Sequence, residues 1–223
     1  MVRLGRPEIV ITPIALGCGQ FSRAHGYVGR YWEDLPAERI REIVALSLRG
    51  GINWFDTAEV YGWGRSETAL SAALRENGVA PGEVVVATKW FPFPRTARSI
   101  VRTIGARLKA LGGYPIDLHQ IHAPASFSGV GGEMRAMARL VREGRIGSVG
   151  VSNYTAGQMR RAHAALEREG LALSANQVKY NLLDRRIERN GVLEAAKKLG
   201  ITVIAYSPWP RGSSPASTTT IPA

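Results

Sequence analysis

The sequence predicts an α/β fold, a (β/α)8 barrel in which about seven of the eight strands are evident. Three observations lead to this prediction. Seven short runs rich in aliphatic and β-branched residues recur along the 223 residues, which is typical of buried parallel strands. Segments with helical spacing separate these runs. No domain linker interrupts the alternation, which favours a closed or nearly closed barrel over an open sheet.

The strand runs are short and evenly distributed. In chain order they are PIALGC, INWFD, EVVVATK, IDLHQIH, IGSVGVSN, SANQVKYN and ITVIAYSP. Ahead of them, RLGRPEIVITP has turn residues at Gly5, Arg6 and Pro7 between two apolar runs, and this pattern predicts a hairpin. We expect the hairpin to lie under the barrel as an N-terminal plug.

Residues that commonly start and stop helices mark the segments between the strands. A helix is predicted in LPAERIREIVALSLRGG, with Pro36 near its start and a Gly-Gly pair at 50–51 at its end. Another is predicted in RSETALSAALRENG, with Ser66 as its N-cap and Gly78 as its stop. Helical spacing recurs in residues 162–170.

The bulk composition narrows the class of protein. The formal net charge is +11, yet the basic residues are scattered along the chain, which favours solvated helix faces over a nucleic-acid surface. Cys18 is the only cysteine, so no intrachain disulfide can form, and no secretory signal or membrane span is evident. We therefore expect a cytoplasmic protein that binds neither nucleic acid nor a membrane.

Polar residues end the apolar runs, at the place where a barrel gathers its active site. They are Asp56, Lys89, His122, Asn153, Asn181 and Tyr206. Single residues of this set have ordinary structural interpretations: Asp56 and Glu59 as a helix-capping pair, and Lys89 as a solvated strand end. His122 can be a satisfied histidine above the core, and Tyr61 an ordinary loop aromatic.

Together, an acid, a lysine, a histidine and a tyrosine at one barrel mouth can transfer a proton. A tyrosine with an ordinary pKa of about 10 is a poor donor at neutral pH unless a cation stabilises its phenolate. Lys89 can supply that cation, and Asp56 can hold the ammonium and keep it charged. His122 can donate a hydrogen bond to a carbonyl oxygen as negative charge develops there.

Six segments of the chain resemble the aldo-keto reductase family. They are GINWFDTAEVYG, VVATK, DLHQIHAP, SVGVSNY, ANQVKYN and IAYSP, in the family's order and at family-like spacing, and the resemblance extends over most of residues 12–209. The resemblance implies an oxidoreductase that reduces an aldehyde or ketone by hydride transfer from NADPH, with NADH not excluded. Tyr61 would then donate the proton. Asp56 and Lys89 would tune Tyr61, and His122 would orient the carbonyl.

The resemblance also implies a set of cofactor-binding residues. Those that would hydrogen-bond the nicotinamide carboxamide or stack under its ring are Ser152, Asn153, Gln177 and Tyr206. Those that would lie along the dinucleotide, at the first strand and by the pyrophosphate, are Cys18, Gly19, Ser207, Pro208 and Trp209. Neither a glycine-rich Rossmann fingerprint nor a Cys-His cluster for a metal occurs in the sequence.

The resemblance is incomplete at the carboxyl end. A complete barrel of this type runs to about 250 residues, and the eighth strand, the last helices and the basic residues that grip the adenosine 2′-phosphate are not evident. TTTIPA at 218–223 resembles the beginning of the eighth strand. We expect one barrel domain over residues 1–223 that lacks this carboxyl-terminal part, with self-association through its open sheet edges.

Three functions are compatible with these features. The first is a carbonyl reductase, the second is a cofactor-sensing regulatory subunit similar to potassium-channel beta subunits, and the third is a truncated, inactive relative. The substrate of the first would be a small-molecule carbonyl compound. Trp32, Trp63, Trp90 and Phe91 can form apolar pocket walls, which would favour an apolar or aromatic carbonyl, or can equally be core packing.

Overall fold

Two sheets and six α-helices make up the part of the chain that the structure, a computed structural model, describes: residues 1–4, 9–22 and 34–207. The hairpin strands are β1 (Val2–Leu4) and β2 (Ile9–Ile11). The other strands are β3 (Leu16–Gly17), β4 (Trp54–Asp56), β5 (Val85–Trp90), β6 (Leu118–Ile121), β7 (Ser148–Ser152), β8 (Leu173–Lys179) and β9 (Thr202–Tyr206). The helices are α1 (Ala37–Arg49), α2 (Arg65–Glu76), α3 (Arg98–Ala110), α4 (Val130–Arg142), α5 (Ala156–Glu167) and α6 (Val192–Leu199).

The main sheet is parallel and follows the order of the chain. Its seven strands run β3-β4-β5-β6-β7-β8-β9, and each pairs in parallel with the next. Five of the helices lie between successive strands from β4 to β9, as crossover connections require, and α1 precedes β4. The sheet curls into a half-barrel, which confirms the predicted α/β fold with seven strands. The segment expected to begin an eighth strand, 218–223, lies outside the described residues.

The amino-terminal hairpin closes the lower end of the sheet. Its strands pair antiparallel, with Val2 opposite Ile11, and Leu4 and Ile11 pack into an inner apolar cluster with the start of the barrel strands. The indole of Trp54, the first residue of β4, donates a hydrogen bond to the carbonyl of Thr12 at 2.9 Å. The predicted plug is therefore confirmed, while its predicted turn at residues 5–7 lies outside the described ranges.

Period-two alternation divides the apolar residues of the strands into two cores. The inner cluster lies against the plug, and the larger outer cluster lies between the sheet and the helices. The inner strand residues are Trp54, Ala87, Leu118, Ala175 and Ile204. This division matters for the site, because a residue two positions after an inner-cluster residue on the same strand also faces the interior of the barrel.

The helix boundaries differ from expectation at one point. Helix α1 lies between Pro36 and Gly50, as predicted. The N-cap of α2 is Gly64, with φ of 101°, and not Ser66, so the predicted cap is wrong. The helix begins at Arg65, directly after the left-handed Gly64 and before the predicted cap, and the Ser66 hydroxyl instead donates to the carbonyl of Cys18 at 2.6 Å. No helix within the described residues is long and apolar enough to cross a membrane.

Candidate active site

A layer of polar side chains lies above the inner core, at the carboxyl ends of the strands. Each member follows an inner-core residue by two positions, so strand alternation directs it into the same lumen. The members are Asp56, Lys89, Gln120, Gln177 and Tyr206. Four of them were predicted site residues, and Gln120 was missed. The same period-two rule, applied backwards from His122, would have found it.

Lys89 and Asp56 form a buried ion pair at the centre of this layer. The Lys89 side chain is 0% exposed, and its Nζ donates to Asp56 Oδ2 at 2.6 Å and to the carbonyl of Thr57 at 2.9 Å. Gln120 Nε2 donates to the other Asp56 oxygen at 3.3 Å. Lys89 is therefore not a solvated strand end. Asp56 does not cap a helix either, because α2 begins only at Arg65.

The electrostatics of the pair keep Lys89 charged. Burial lowers the pKa of Lys89, but the charges of Asp56 and Tyr61 and the hydrogen bond to Asp56 outweigh it, so the pKa is raised above its ordinary value. Burial also raises the pKa of Tyr61, and the charge of Lys89 opposes that rise. At neutral pH the site therefore combines a protonated phenol with an ammonium.

The loop after β4 returns Tyr61 to the ammonium. Lys89 Nζ lies 5.3 Å from the centroid of the Tyr61 ring. Three consecutive residues, Gly62, Trp63 and Gly64, have φ of 69°, 55° and 101° and turn the chain sharply. A Cβ at Gly62 would lie 2.7 Å from the carbonyl oxygen of Ser22, so glycine is required at this close approach.

His122 lies beside Tyr61 and is neutral. The two rings meet edge to face with centroids 5.7 Å apart. Burial, with a smaller contribution from the Lys89 charge, lowers the pKa of His122 to about 3. Its Nδ1 has no hydrogen-bond partner among the described residues, so the imidazole is not the satisfied core histidine that one interpretation expected.

The residues predicted to bind the carboxamide lie together at the ends of β7 and β8. Ser152 pairs with Gln177, and both the Ser152 hydroxyl and the Asn153 N–H donate to the Gln177 carbonyl, at 2.9 and 2.8 Å. Asn153 Nδ2 donates to the Ser152 hydroxyl at 3.1 Å, and the Tyr206 hydroxyl donates to Asn153 Oδ1 at 2.9 Å. Asn153 adopts φ of 61°, which turns the chain at this point.

This group of side chains fits a nicotinamide. The Gln177 side chain is only 5% exposed, yet no hydrogen bond within the described ranges engages its amide. An unengaged amide, facing the lumen beside a second amide and a hydroxyl, offers the donors and acceptors that a carboxamide needs. No group of acidic, histidine and cysteine side chains in the described part of the chain could hold a metal ion.

The other predicted cofactor residues have different environments. Cys18 belongs to the outer core, where burial strongly raises the pKa of its thiol. Gly19 is close to Tyr61, because a Cβ there would lie 3.9 Å from the phenol ring. Ser207 is exposed, with its carbonyl accepting from Asn181 at 2.9 Å. Pro208 and Trp209 lie outside the described residues.

The aromatic residues considered as pocket walls divide into two groups. Trp90 is buried in the outer core and donates to the Ser99 hydroxyl at 3.1 Å, so it is core packing and not a wall. Trp63 is 53% exposed and meets Phe91 edge to face at 6.1 Å, and Phe91 in turn lies 6.3 Å from His122. Trp63 and Phe91 therefore remain candidate walls. Trp32 lies outside the described ranges.

Sequence reasoning missed a buried ionic cluster on the outer face of β5. Glu67, which is 0% exposed, accepts from the Thr88 hydroxyl at 2.6 Å and lies 3.2 Å from Arg107 Nη1. Glu59 lies 3.7 Å from the same Arg107 nitrogen and accepts from Arg95 at 2.9 Å. Burial outweighs the Arg107 charge and raises the pKa of Glu67 to about 7.

The raised pKa of Glu67 predicts an unusual pH dependence of stability. Between the ordinary pKa of 4.5 and about 7, the folded state holds a proton that the unfolded state has lost, so Glu67 lowers stability as pH rises. Relative to Glu67→Gln, the free energy of unfolding of the wild type should fall by up to about 3 kcal/mol across this window.

Urea unfolding of both proteins at pH 4.5 and pH 7.5 measures this difference. The exposed residue Glu42, which pairs with Arg39 on α1, provides the control variant Glu42→Gln. That variant should follow the wild type at both pH values. Parallel pH dependence in the wild type and Glu67→Gln would contradict the assignment.

The chain matches one family of known proteins. The family model described as the aldo/keto reductase family matches residues 13–221, and the chain belongs to that family. An uncharacterized oxidoreductase of Mycobacterium tuberculosis is 38% identical over 206 residues, which are 91% of this chain and 59% of the relative. Pyridoxal reductase, chloroplastic, of Arabidopsis thaliana is 32% identical over 183 residues, or 77% of this chain and 50% of the relative.

Solved structures give the same result. A crystal structure of a thermostable aldo-keto reductase, in complex with the inhibitor epalrestat, aligns with a TM-score of 0.79 at 29% identity. The alignment covers 93% of this chain and 73% of the other. The chain thus spans well under two thirds of the length of the two curated relatives and most of this solved structure.

Proposed function

We propose that this chain carries the active site of an NADPH-dependent reductase that converts an aldehyde or ketone to an alcohol. The observation that carries the proposal is the buried ammonium of Lys89, held by Asp56 at 2.6 Å with the Tyr61 ring over it. Burying a charge this completely costs folding stability, and buried ionisable groups of this kind are typical of functional sites. Proton transfer from a phenol is a use that the geometry supports.

The roles follow from the charges. Reduced nicotinamide, when bound, supplies a hydride to the carbonyl carbon. Tyr61 donates its proton to the carbonyl oxygen as negative charge develops there, and Lys89 stabilises the phenolate that Tyr61 becomes. Asp56 holds the ammonium in place and keeps it protonated, with Gln120 fixing the second carboxylate oxygen.

His122 positions the carbonyl. Because its pKa is lowered to about 3, the imidazole is neutral across the physiological range and donates a hydrogen bond without competing as the proton source. Its position edge-on to Tyr61, at 5.7 Å between centroids, allows both side chains to reach one oxygen atom. Two donors directed at one oxygen stabilise the developing charge.

The amide and hydroxyl group at β7 and β8 orients the nicotinamide. Asn153, Ser152 and Gln177 would bind the carboxamide of the nicotinamide, and Tyr206, fixed by its hydrogen bond to Asn153, would pack against its ring. Fixed orientation contributes to rate because the hydride donor and the carbonyl carbon then meet in a single geometry. Gly19, against the Tyr61 ring, leaves room for the cofactor beside the proton donor.

The substrate class is a small carbonyl compound with an apolar or aromatic part. Trp63 and Phe91 form an edge-to-face pair that leads to His122, so an apolar group can pack there while its carbonyl reaches the imidazole. The name of the plant relative, pyridoxal reductase, names an aromatic aldehyde, which is consistent with this class.

Titration of the protein with NADPH, followed by tryptophan fluorescence, tests the proposal first. We expect saturable quenching with a Kd in the micromolar range, together with carbonyl-dependent oxidation of NADPH at 340 nm. NADH, titrated in parallel, measures cofactor preference. Tight binding without turnover would instead support a cofactor-sensing subunit, and a folded chain without quenching would support an inactive relative.

A further inference from the structure

We propose that Arg107 is a positioning residue for Tyr61, which it fixes by clamping both ends of the loop that carries this tyrosine. The proposal rests on the proposed function. The Arg107 clamp is defined as Arg107 of α3 with Glu59 and Glu67. The two carboxylates lie on either side of Tyr61 in the sequence, so one guanidinium joins the chain before the proton donor to the chain after it.

One nitrogen of the Arg107 guanidinium lies within ion-pair distance of both carboxylates without a hydrogen bond to either. Arg107 Nη1 is 3.2 Å from Glu67 Oε2 and 3.7 Å from Glu59 Oε1, and all three side chains are buried. In such an environment two carboxylates repel strongly unless a cation lies between them. Arg107 therefore determines how closely the two ends of the loop approach each other.

Each carboxylate also holds the end of β5. Glu59 accepts from the Phe91 N–H at 3.1 Å, and the Glu59 N–H donates to the Lys89 carbonyl at 3.0 Å. Glu67 accepts from the hydroxyl of Thr88, the neighbour of Lys89 on the opposite face of the strand. The clamp thus ties the Tyr61 loop to the strand residue whose ammonium Tyr61 requires.

The loop itself needs such a restraint. Its consecutive left-handed residues include two glycines, which have wide conformational freedom. A Cβ at Gly64 would lie 3.2 Å from Arg107 Nη2, so the loop backbone packs directly on the guanidinium. Glu59 is also held by Arg95 at 2.9 Å, whereas Glu67 has Arg107 as its only cation within 4 Å in the described ranges. When Arg107 is altered, we therefore expect the end of the loop at Glu67 to become mobile before the end at Glu59.

Two variants test the clamp at pH 8. Arg107→Lys keeps the charge but replaces the guanidinium, whose Nη1 nitrogen lies near both carboxylates, with an ammonium of different reach and shape. Glu67→Gln keeps the shape of the side chain and its contact with Thr88 but removes the negative charge. The protein then no longer bears the desolvation cost of a buried carboxylate. Its stability should therefore not fall. Arg75→Lys is the control, because Arg75 also links α2 to a neighbouring segment, the turn after α3, through the Gly112 carbonyl at 3.1 Å and away from the loop.

Hydrogen–deuterium exchange and steady-state kinetics are the measurements. In both clamp variants, peptides covering 57–66 should exchange about tenfold faster. We expect kcat to fall about 10- to 100-fold, because a displacement of 1 Å in a reacting group costs this much, while the Kd for NADPH stays unchanged. Arg75→Lys should match the wild type in loop exchange, in kcat and in the Kd for NADPH.

Unchanged exchange of 57–66 in both clamp variants would overturn the proposal, and so would faster exchange with an unchanged kcat. If the wild type turns over no carbonyl substrate, the proposed function fails. Hydrogen–deuterium exchange then tests the clamp without kinetics. Faster exchange of residues 57–66 in Arg107→Lys and Glu67→Gln, and not in Arg75→Lys, supports the clamp, and exchange at the wild-type rate in both clamp variants overturns it.

Discussion

Tyr61→Phe is expected to lower kcat by about 10²- to 10⁴-fold, the range that a general acid contributes, while NADPH still binds with wild-type affinity. The substitution removes only the phenolic oxygen. Phenylalanine keeps the ring that meets His122 at 5.7 Å and covers Lys89 Nζ at 5.3 Å, so the packing of the site is preserved. The expected loss is confined to proton donation.

The environment of Tyr61 makes its loss hard to compensate. His122 is neutral, with its pKa lowered to about 3, and Lys89 is held as an ammonium by Asp56, with its pKa raised. Neither residue is therefore a ready source of the proton at neutral pH. A water molecule entering in place of the phenol would be a weaker acid than a phenol beside an ammonium.

Stopped-flow and steady-state assays of NADPH oxidation measure the effect. The control is Tyr114→Phe, which removes a buried hydroxyl that donates to the Val79 carbonyl at 2.5 Å, far from the barrel mouth. It should lower the melting temperature and leave kcat unchanged, the reverse of Tyr61→Phe. Wild-type turnover by Tyr61→Phe would remove Tyr61 as the proton donor and leave the reductase proposal without its acid.

The sequence was sufficient to predict the parts of the molecule that depend on local periodicity. The seven strands follow from short aliphatic runs, and the position of Asp56, Lys89 and Tyr206 in one layer follows from strand alternation and from where each run ends. The approach of Tyr61 to Lys89 required more, because three left-handed residues set the path of its loop.

The outer ionic cluster could not be predicted in the same way. Glu67 and Arg107 lie on different helices, in segments whose charges look like ordinary solvated faces, and only the packing of α2 on α3 brings them together. Ser66 was misassigned as an N-cap for a related reason. Its hydroxyl is taken by the Cys18 carbonyl, a contact that depends on tertiary structure and not on local sequence.

Trp90 shows a limit of composition-based reasoning about pockets. It lies at the end of β5, next to Lys89, but alternation places its side chain on the opposite face, in the outer core. Phe93 and Phe127 form a further exposed pair, with ring centroids 6.0 Å apart. Pairs of this kind join separate loops, so sequence spacing does not reveal them.

Lys89→Met is expected to damage both stability and turnover. Among the residues that the structure describes, it leaves the Asp56 carboxylate, which is 9% exposed, with only the Gln120 amide as a side-chain partner. Removing one member of a buried ion pair costs about 3–5 kcal/mol, because the remaining charge is buried without compensation. Turnover should fall as well, since nothing then stabilises the Tyr61 phenolate.

The double variant Asp56→Asn, Lys89→Met separates the two effects. With both charges removed, most of the lost stability should return, because replacing a buried pair by neutral groups of similar size is often close to neutral. Turnover should not return, because the cation is still missing. The control Lys198→Met breaks the exposed pair with Glu194 at 2.7 Å and should leave the free energy of unfolding close to that of the wild type.

Urea unfolding and NADPH oxidation, measured on the three variants, separate the effect of each substitution on the free energy of unfolding from its effect on turnover. If the double variant recovered both stability and turnover, the ammonium would serve only to neutralise Asp56. If Lys89→Met unfolded at the wild-type urea concentration, the carboxylate would have found another partner or a proton. The expected result, recovery of stability without turnover, would mean that the buried charge of Lys89 is retained for proton transfer at Tyr61 and not for the stability of the barrel.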